Sequence, residues 1–400
     1  MQRLLATLVL ALVMTPGATR DAAAQDLVIT NARIIVGNGT VIEQGSVGVR
    51  AGRIVSVAPG TAGAQGAPSI DAKGMTLMPG FIDAHRHIIQ GNADQWFKER
   101  AAVRMQEFLD AGYTTLMEGG GQPPGITQLK DKIEKGELKG PRIITSGRAD
   151  TNVKTTGEAR ERVRVLAKAG VEIIKARIDN EAEQHQLDML AAITDEARKH
   201  KLDVMVHAAT VPAMLGAVKA GAAKLVHTPH GSFMSEADAK VVASAGIETL
   251  STIGFGVPLF GVFNDKNVPT ARDGKPWPTG ISDDGGGGRG REAGEKAVNA
   301  RTLWDAGVTY GFGTDTGYLP KAGLAHELRT LNLMFSPQDM IRMMGPGTAA
   351  FIDRSADLGT LEAGKLADIV LLGGNPLEGY WHLLNVKAVV KGGALVVDKR

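Results

Sequence analysis

Two histidines one residue apart, in Asp83-Ala84-His85-Arg86-His87, form the densest group of metal-ligating side chains in the chain. They follow an apolar run that begins at Gly80. On an extended strand, residues two apart face the same side, so His85 and His87 can hold one ion together while Arg86 points away. A His-x-His pair alone is weak evidence. It gains weight from Lys175, His207, His227 and Asp315, each at the C-terminal end of a separate apolar run. A lone histidine at a strand end is more often a hydrogen-bonded core residue, but four histidines, a lysine and an aspartate are hard to explain that way. The chain has no cysteine, so a metal would be held by histidine, carboxylate or a modified lysine. The chemistry this suits is hydrolysis, because a divalent ion lowers the pKa of a bound water to about 7.

Such residues meet only if the elements beneath them converge. Eight β-prone runs alternate with charged, helix-compatible segments: Gly80 to His85, Thr114 to Met117, Arg142 to Thr145, Val171 to Arg177, Leu202 to His207, Lys224 to His227, Ile247 to Ile253, and Thr309 to Thr314. That alternation predicts an α/β fold, a (β/α)8 TIM barrel whose C-terminal strand ends share one mouth. Short strands without intervening helices recur at both chain ends, as in Leu27-Val28-Ile29-Thr30 and Ala367-Asp368-Ile369-Val370-Leu371-Leu372. They predict one small β-domain from residues 25–78 and 347–400, with the barrel over 79–346. Phe255 to Gly290, with Pro258, Pro269, Pro276, Pro278 and four consecutive glycines, reads either as a lid over the mouth or as a linker.

With 43% hydrophobic and 22% charged residues, the composition is that of a globular protein. Forty-five Lys and Arg against 43 Asp and Glu leave +2, which argues against a nucleic-acid partner and for a small-molecule substrate. Arg3, the apolar run Leu4 to Met14 and Ala22-Ala23-Ala24 have the layout of a signal peptide over residues 1–24. The run is much shorter than the roughly 20 residues of a spanning helix, so the expectation is a periplasmic or secreted chain with no membrane span after cleavage. A homo-oligomer is compatible with the sequence.

The chain resembles the amidohydrolase superfamily, in particular its binuclear metal-dependent branch with Xaa-Pro dipeptidases, N-acyl amino acid hydrolases and imidazolonepropionase-like enzymes. The resemblance rests on Pro79-Gly80-Phe81-Ile82-Asp83-Ala84-His85-Arg86-His87, Ile174-Lys175, Val206-His207-Ala208, Val226-His227-Thr228, Gly313-Thr314-Asp315-Thr316 and Gly359-Thr360-Leu361-Glu362-Ala363-Gly364-Lys365-Leu366-Ala367-Asp368. It implies that the small β-domain is a β-sandwich, and it implies two divalent ions, with zinc first and manganese, cobalt or iron as alternatives. His85 and His87 would bind one ion and His207 and His227 the other. A side-chain-carboxylated Lys175 would bridge them, and Asp315 would serve as ligand and proton shuttle. The alternative reading of Lys175, less favoured than the bridging role, is an ordinary buried lysine paired with Asp315 or Glu118.

No glutamate follows His207 closely, which with Lys175 argues against a deaminase. Arg177 is two residues beyond Lys175 and can face the mouth to bind a carboxylate, or lie on the surface. Glu118, at the end of the second run, and His230 are further substrate-side candidates, His230 alternatively fixing a loop. The expected reaction is hydrolysis of a C–N bond in a dipeptide or N-acyl amino acid. Cyclic amides, phosphotriesters or lactones are chemical alternatives, and a non-catalytic metal or solute carrier is a remote one.

Overall fold

The computed structural model describes residues 26–60, 67–254, 271–272, 275–276, 288–316 and 320–400. The predicted signal peptide lies outside them, as does most of the Phe255 to Gly290 segment. No helix among the described residues is long and apolar enough to cross a membrane.

Both chain ends contribute to one eight-stranded sheet. Its path runs Ala394–Asp398, Val386–Lys391, Ile369–Leu372, Thr76–Pro79, Leu27–Ile35, Val41–Arg50 and Arg53–Pro59, with Ser69–Asp71 paired beside Leu27–Ile35. The join is the antiparallel pair of Thr76–Pro79 with Ile369–Leu372, in which Ile369 faces Pro79 and Leu372 faces Thr76. The pairing registers the two chain ends as one continuous hydrogen-bonded sheet, because this central pair bridges their strands. A core of its own, including Ile29, Ile34, Val47, Val49, Ile369 and Val390, lies within it.

Gly80 carries the chain from this sheet into the second body. Its backbone N–H bonds Asp368 and the next N–H bonds Gly112, and a Cβ here would lie 2.4 Å from the Thr114 side chain. The eight runs then form parallel strands. Phe81–Arg86, Tyr113–Glu118 and Arg142–Ile144 make a three-stranded sheet. Ser146–Arg148, Ile173–Arg177, Asp203–His207, Lys224–Leu225, Glu248–Leu250 and Thr309–Gly311 make a six-stranded one. The expected ring of eight is therefore registered as two sheets. The third run's strand ends at Ile144, and Ser146–Arg148, just beyond that run, opens the six-stranded sheet. Between the last run and the first the hydrogen bonds are isolated, Ala84 N–H to Phe312 O at 3.1 Å and Asp315 N–H to His85 O at 2.8 Å.

Helices cover the outer faces. Thr156–Lys168 is typical: Thr155 caps it by accepting from Glu158 N–H, and Ala159, Val163 and Leu166, at helical spacing, are buried. Strand residues alternate between this outer core and an inner one. Ile174 and Val204 pack outward, whereas Ile173 and Met205 join an inner cluster with Ile82, Met117 and Leu250. Two residues beyond Ile173 and Met205 come Lys175 and His207, so the alternation carries both toward the inside.

Candidate active site

In the strand Phe81–Arg86, Ile82 and Ala84 belong to the inner cluster, and strict alternation would send Arg86 there too. The pairing register with the second strand shifts between Asp83 and Arg86. Such an irregularity re-aims side chains at a strand end. His85 and His87 meet Asp315, and Arg86 turns outward with its guanidinium 5.0 Å from the Phe108 ring centroid.

The ligand-type atoms of His85, His87 and Asp315 lie within 4.8 Å of one another. Asp315 Oδ1 is 3.3 Å from His85 Nε2 and 3.0 Å from His87 Nε2, and its Oδ2 is 4.0 Å from His227 Nδ1. Lys175 Nζ approaches His85 Nε2 to 3.3 Å and forms no ion pair among the described residues. The rings of His207 and His227 are 4.4 Å apart, and those of His85 and His227 5.4 Å. Glu118 Oε1 stands 3.7 Å from His87 Nδ1, while its Oε2 accepts from Ile88 N–H. Arg177 is 63% exposed and pairs with Asp179 at the rim. His230 faces Glu292 at 4.0 Å.

Protonation follows from burial. Burial, and then the Lys175 charge, hold His85 down at about 4 and His207 at about 3; burial keeps His227 well below its ordinary value. Burial also brings Lys175 down to about 7. Hydrogen bonds to Asp315 and then Glu118 push His87 up to about 9. Burial alone would raise Asp315, but His85 and His87 outweigh it and keep the carboxylate ionised. Three imidazoles are thus neutral bases beside one anionic oxygen, the state in which such groups bind metals.

Two further observations fit a metal. His85 Nδ1 and His227 Nε2 are buried and make no hydrogen bond. The tautomer of His227 can be worked out: Thr252 donates its hydroxyl proton to Val226 O, so His227 Nδ1–H donates to Thr252 Oγ1 at 2.8 Å, leaving Nε2 with its lone pair. Nitrogen and oxygen donors of this kind suit borderline or hard divalent ions. Thr252 and Asp315 both adopt positive φ, 40° and 49°, a conformation costly for side-chain-bearing residues and concentrated at functional sites.

Several contributors escaped the sequence reading. Buried Asp83 accepts from His85 N–H, Thr314 N–H and Thr314 Oγ1, tying the first strand end to the segment that carries Asp315. Arg86 donates to the hydroxyls of Thr314 and Thr316 on either side of Asp315. Asp83 was visible as part of the His-x-His motif, but a motif does not show what a carboxylate accepts. Asn299 receives Met234 N–H and donates to Pro229 O and Ser232 O, and Glu295 receives Gly231 N–H, so the loop carrying His230 is fastened on both sides.

Residues 76–396 match the amidohydrolase family. A 68-residue stretch is 50% identical to the N-acyl-D-aspartate deacylase of Alcaligenes xylosoxydans xylosoxydans, but it covers only 17% of this chain and 14% of that protein. The imidazolonepropionase of Symbiobacterium thermophilum is 26% identical, over 90% of this chain and 92% of its own length. Among solved structures, a putative prolidase from Bifidobacterium longum superimposes with a TM-score of 0.78 at 26% identity, covering 94% of this chain and 96% of that one.

Proposed function

Since this chain belongs to the amidohydrolase family, we propose that it is a metal-dependent hydrolase that cleaves a C–N bond in a small molecule. The observation that carries the reading is the convergence of His85, His87 and Asp315, whose ligand atoms lie within 4.8 Å, beside Lys175 and two unpartnered buried imidazole nitrogens. We assign His85 and His87 to one divalent ion and His207 and His227 to a second, zinc first among the candidates. Lys175, if carboxylated on Nζ, would supply an anionic oxygen ligand beside them. Its neutral amine, accessible because burial holds it at about 7, is the form that adds carbon dioxide.

Bound divalent ions supply Lewis acidity toward water and the substrate carbonyl. Asp315 takes a proton from the attacking water as the C–O bond forms, and returns it to nitrogen as the C–N bond breaks. One water is consumed, and the products are an acid and an amine. Thr252 holds the His227 tautomer throughout. Asp83 and Arg86 keep Asp315 opposite the histidines. Glu118 orients His87, and Arg177 and His230 are rim contacts for the substrate.

The two parallel sheets are read as one closed (β/α)8 barrel, since Arg142–Arg148 contributes to both and backbone bonds link Ala84 to Phe312 and Asp315 to His85. We read residues 25–78 and 347–400 as the accessory β-domain, and residues 1–24 as an export signal.

Linear amides ending in a carboxylate are the first-choice substrates, in line with the deacylase and prolidase likenesses. A cyclic amide is the second reading, favoured by the near full-length match to an imidazolonepropionase. The test is kcat/KM on zinc- and manganese-loaded protein for N-acyl amino acids, dipeptides, hydantoins, a lactone and a phosphotriester. Linear amides should lead. A clear lead for rings or esters would overturn the substrate class, and no hydrolysis of any probe by fully loaded protein would overturn the activity.

A further inference from the structure

His87, which meets Asp315 through Nε2, also lines a second feature, a cavity of about 250 Å3. Its wall includes His87, Gln90, Trp96 and three arginines, Arg86, Arg100 and Arg104. Helix Ala93–Glu99 ends and helix Ala101–Asp110 begins at Arg100, which has no side-chain cap hydrogen bond. Arg104 N–H bonds Arg100 O, so the two side chains stand one turn apart on the same helix face. The third, Arg86, reaches the cavity because the register shift turned it outward. Its orientation is fixed by the Thr314 and Thr316 hydroxyls and the Phe108 ring.

Like charges four residues apart on a helix repel each other. Here the compensation is incomplete. Arg86 has Asp83 at 3.9 Å. Arg104 Nη1 is 3.1 Å from Glu107 but buried without a hydrogen bond. Arg100 has no ion pair among the described residues. With Arg100 outside any ion pair among the described residues, the wall offers an uncompensated guanidinium, and planar guanidinium forks match carboxylate geometry. At roughly 30 Å3 per water, the volume corresponds to about eight waters, so the space suits an amino-acid-sized group and not a long peptide. Trp96 supplies a flat apolar wall for its stem.

We propose that this cavity receives the carboxylate-bearing half of the substrate, with Arg100 and Arg104 as specificity-determining residues. The inference rests on the reading that the neighbouring cluster is the hydrolytic centre. Because the His87 ring borders both spaces, a carboxylate held here sets the adjacent amide carbonyl beside Asp315. Arg177, exposed and already paired with Asp179, is then a secondary contact.

The test is calorimetric titration of metal-loaded protein with succinate, its neutral analogue succinamide and inorganic phosphate. Wild type, Arg100→Gln and Arg104→Gln are compared, with metal content measured on each. Arg100 is exposed at the junction of the two helices and Arg104 is half-buried beside it, and neither is among the assigned metal ligands, so the variants should fold and keep their metal. Succinate should bind at least tenfold more tightly than succinamide, and each substitution should weaken succinate about tenfold at unchanged metal content. Equal succinate affinity in all three metal-containing proteins would place the anion elsewhere and overturn this inference alone. Phosphate binding more tightly than succinate with the same arginine dependence would make the cavity a free-anion site and overturn the substrate assignment. A wild type that takes up no metal yet binds succinate through both arginines would support the cavity while removing the hydrolytic reading.

Discussion

Replacing Asp315 with Asn separates the proton-carrying role of this residue from its structural one. Asn has nearly the same shape, and Asn and Asp are the side-chain-bearing residues that best tolerate the positive φ of 49° found here. The backbone bond from Asp315 N–H to His85 O is kept, as are the flanking Thr314 and Thr316 contacts with Arg86. What is lost is a negative charge 3.0 Å from His87 Nε2 and 3.3 Å from His85 Nε2, together with the ability to take up a proton. A positioned acid–base group contributes about 10²–10⁴ in rate, or about 2.7–5.5 kcal/mol at 1.36 kcal/mol per tenfold. Asp315→Asn should therefore lower kcat by two to four orders of magnitude, measured on the best amide at saturating metal, while the melting temperature stays near that of wild type. A second readout is independent of turnover. The hydrogen bond that His87 donates to Asp315 is the largest influence holding His87 near 9, so in the metal-free variant its NMR titration should move down toward the ordinary histidine range. Turnover within threefold of wild type, with His87 titrating unchanged, would refute the assignment of Asp315 as proton carrier.

Three other outcomes concern the scaffold. Hydrogen bonds from Lys199 and then Arg164 lower Glu196 from 4.5 to about 2, so its stabilisation is complete above the unfolded value and lost as pH falls from about 4.5 toward 2. Glu196→Gln should flatten the denaturant-midpoint profile across that acid window, and an unchanged slope would deny the linkage. Asn299→Ala leaves Pro229 O, Ser232 O and Met234 N without their partner, so urea unfolding should show a loss of about 1–3 kcal/mol, with a raised KM from the loosened His230 loop. A loss under 0.5 kcal/mol with KM unaltered would mean that other contacts hold the loop. Gly80→Ala would place a methyl 2.4 Å from buried Thr114, and overpacking of this kind should lower stability by about 1–3 kcal/mol in the same assay; wild-type stability would show that the junction yields.

The apolar strand runs were legible in the sequence because each is bounded by helix-compatible, charged segments, and the polar residues at their ends follow from the two-residue alternation. Lys175 and His207 need nothing more than that rule. His85 and His87 need a register shift between Asp83 and Arg86, which depends on how the second strand pairs and leaves no local mark. The single sheet built from both chain ends was hidden for the same reason: the pairing of Thr76–Pro79 with Ile369–Leu372 joins segments almost three hundred residues apart. Thr252, Asn299 and Asp83 act through hydrogen bonds to distant backbone or imidazole groups, so their residue types alone point nowhere in particular. For His230 the sequence left substrate contact and loop anchoring open, and the structure shows its loop anchored by Asn299 and Glu295. Arg100 and Arg104 are visible as a helical i, i+4 pair, yet the outward turn of Arg86 toward them emerges only in three dimensions.

The central claim is that these histidines, Lys175 and Asp315 form a metal centre, and the most direct test is elemental analysis of the purified protein by plasma mass spectrometry alongside Lys175→Ala. About two divalent ions per chain are predicted for wild type, falling in the variant and partly restored when a short-chain carboxylic acid is supplied. A wild type without metal after reconstitution, or a Lys175→Ala protein with an undiminished count, would contradict it.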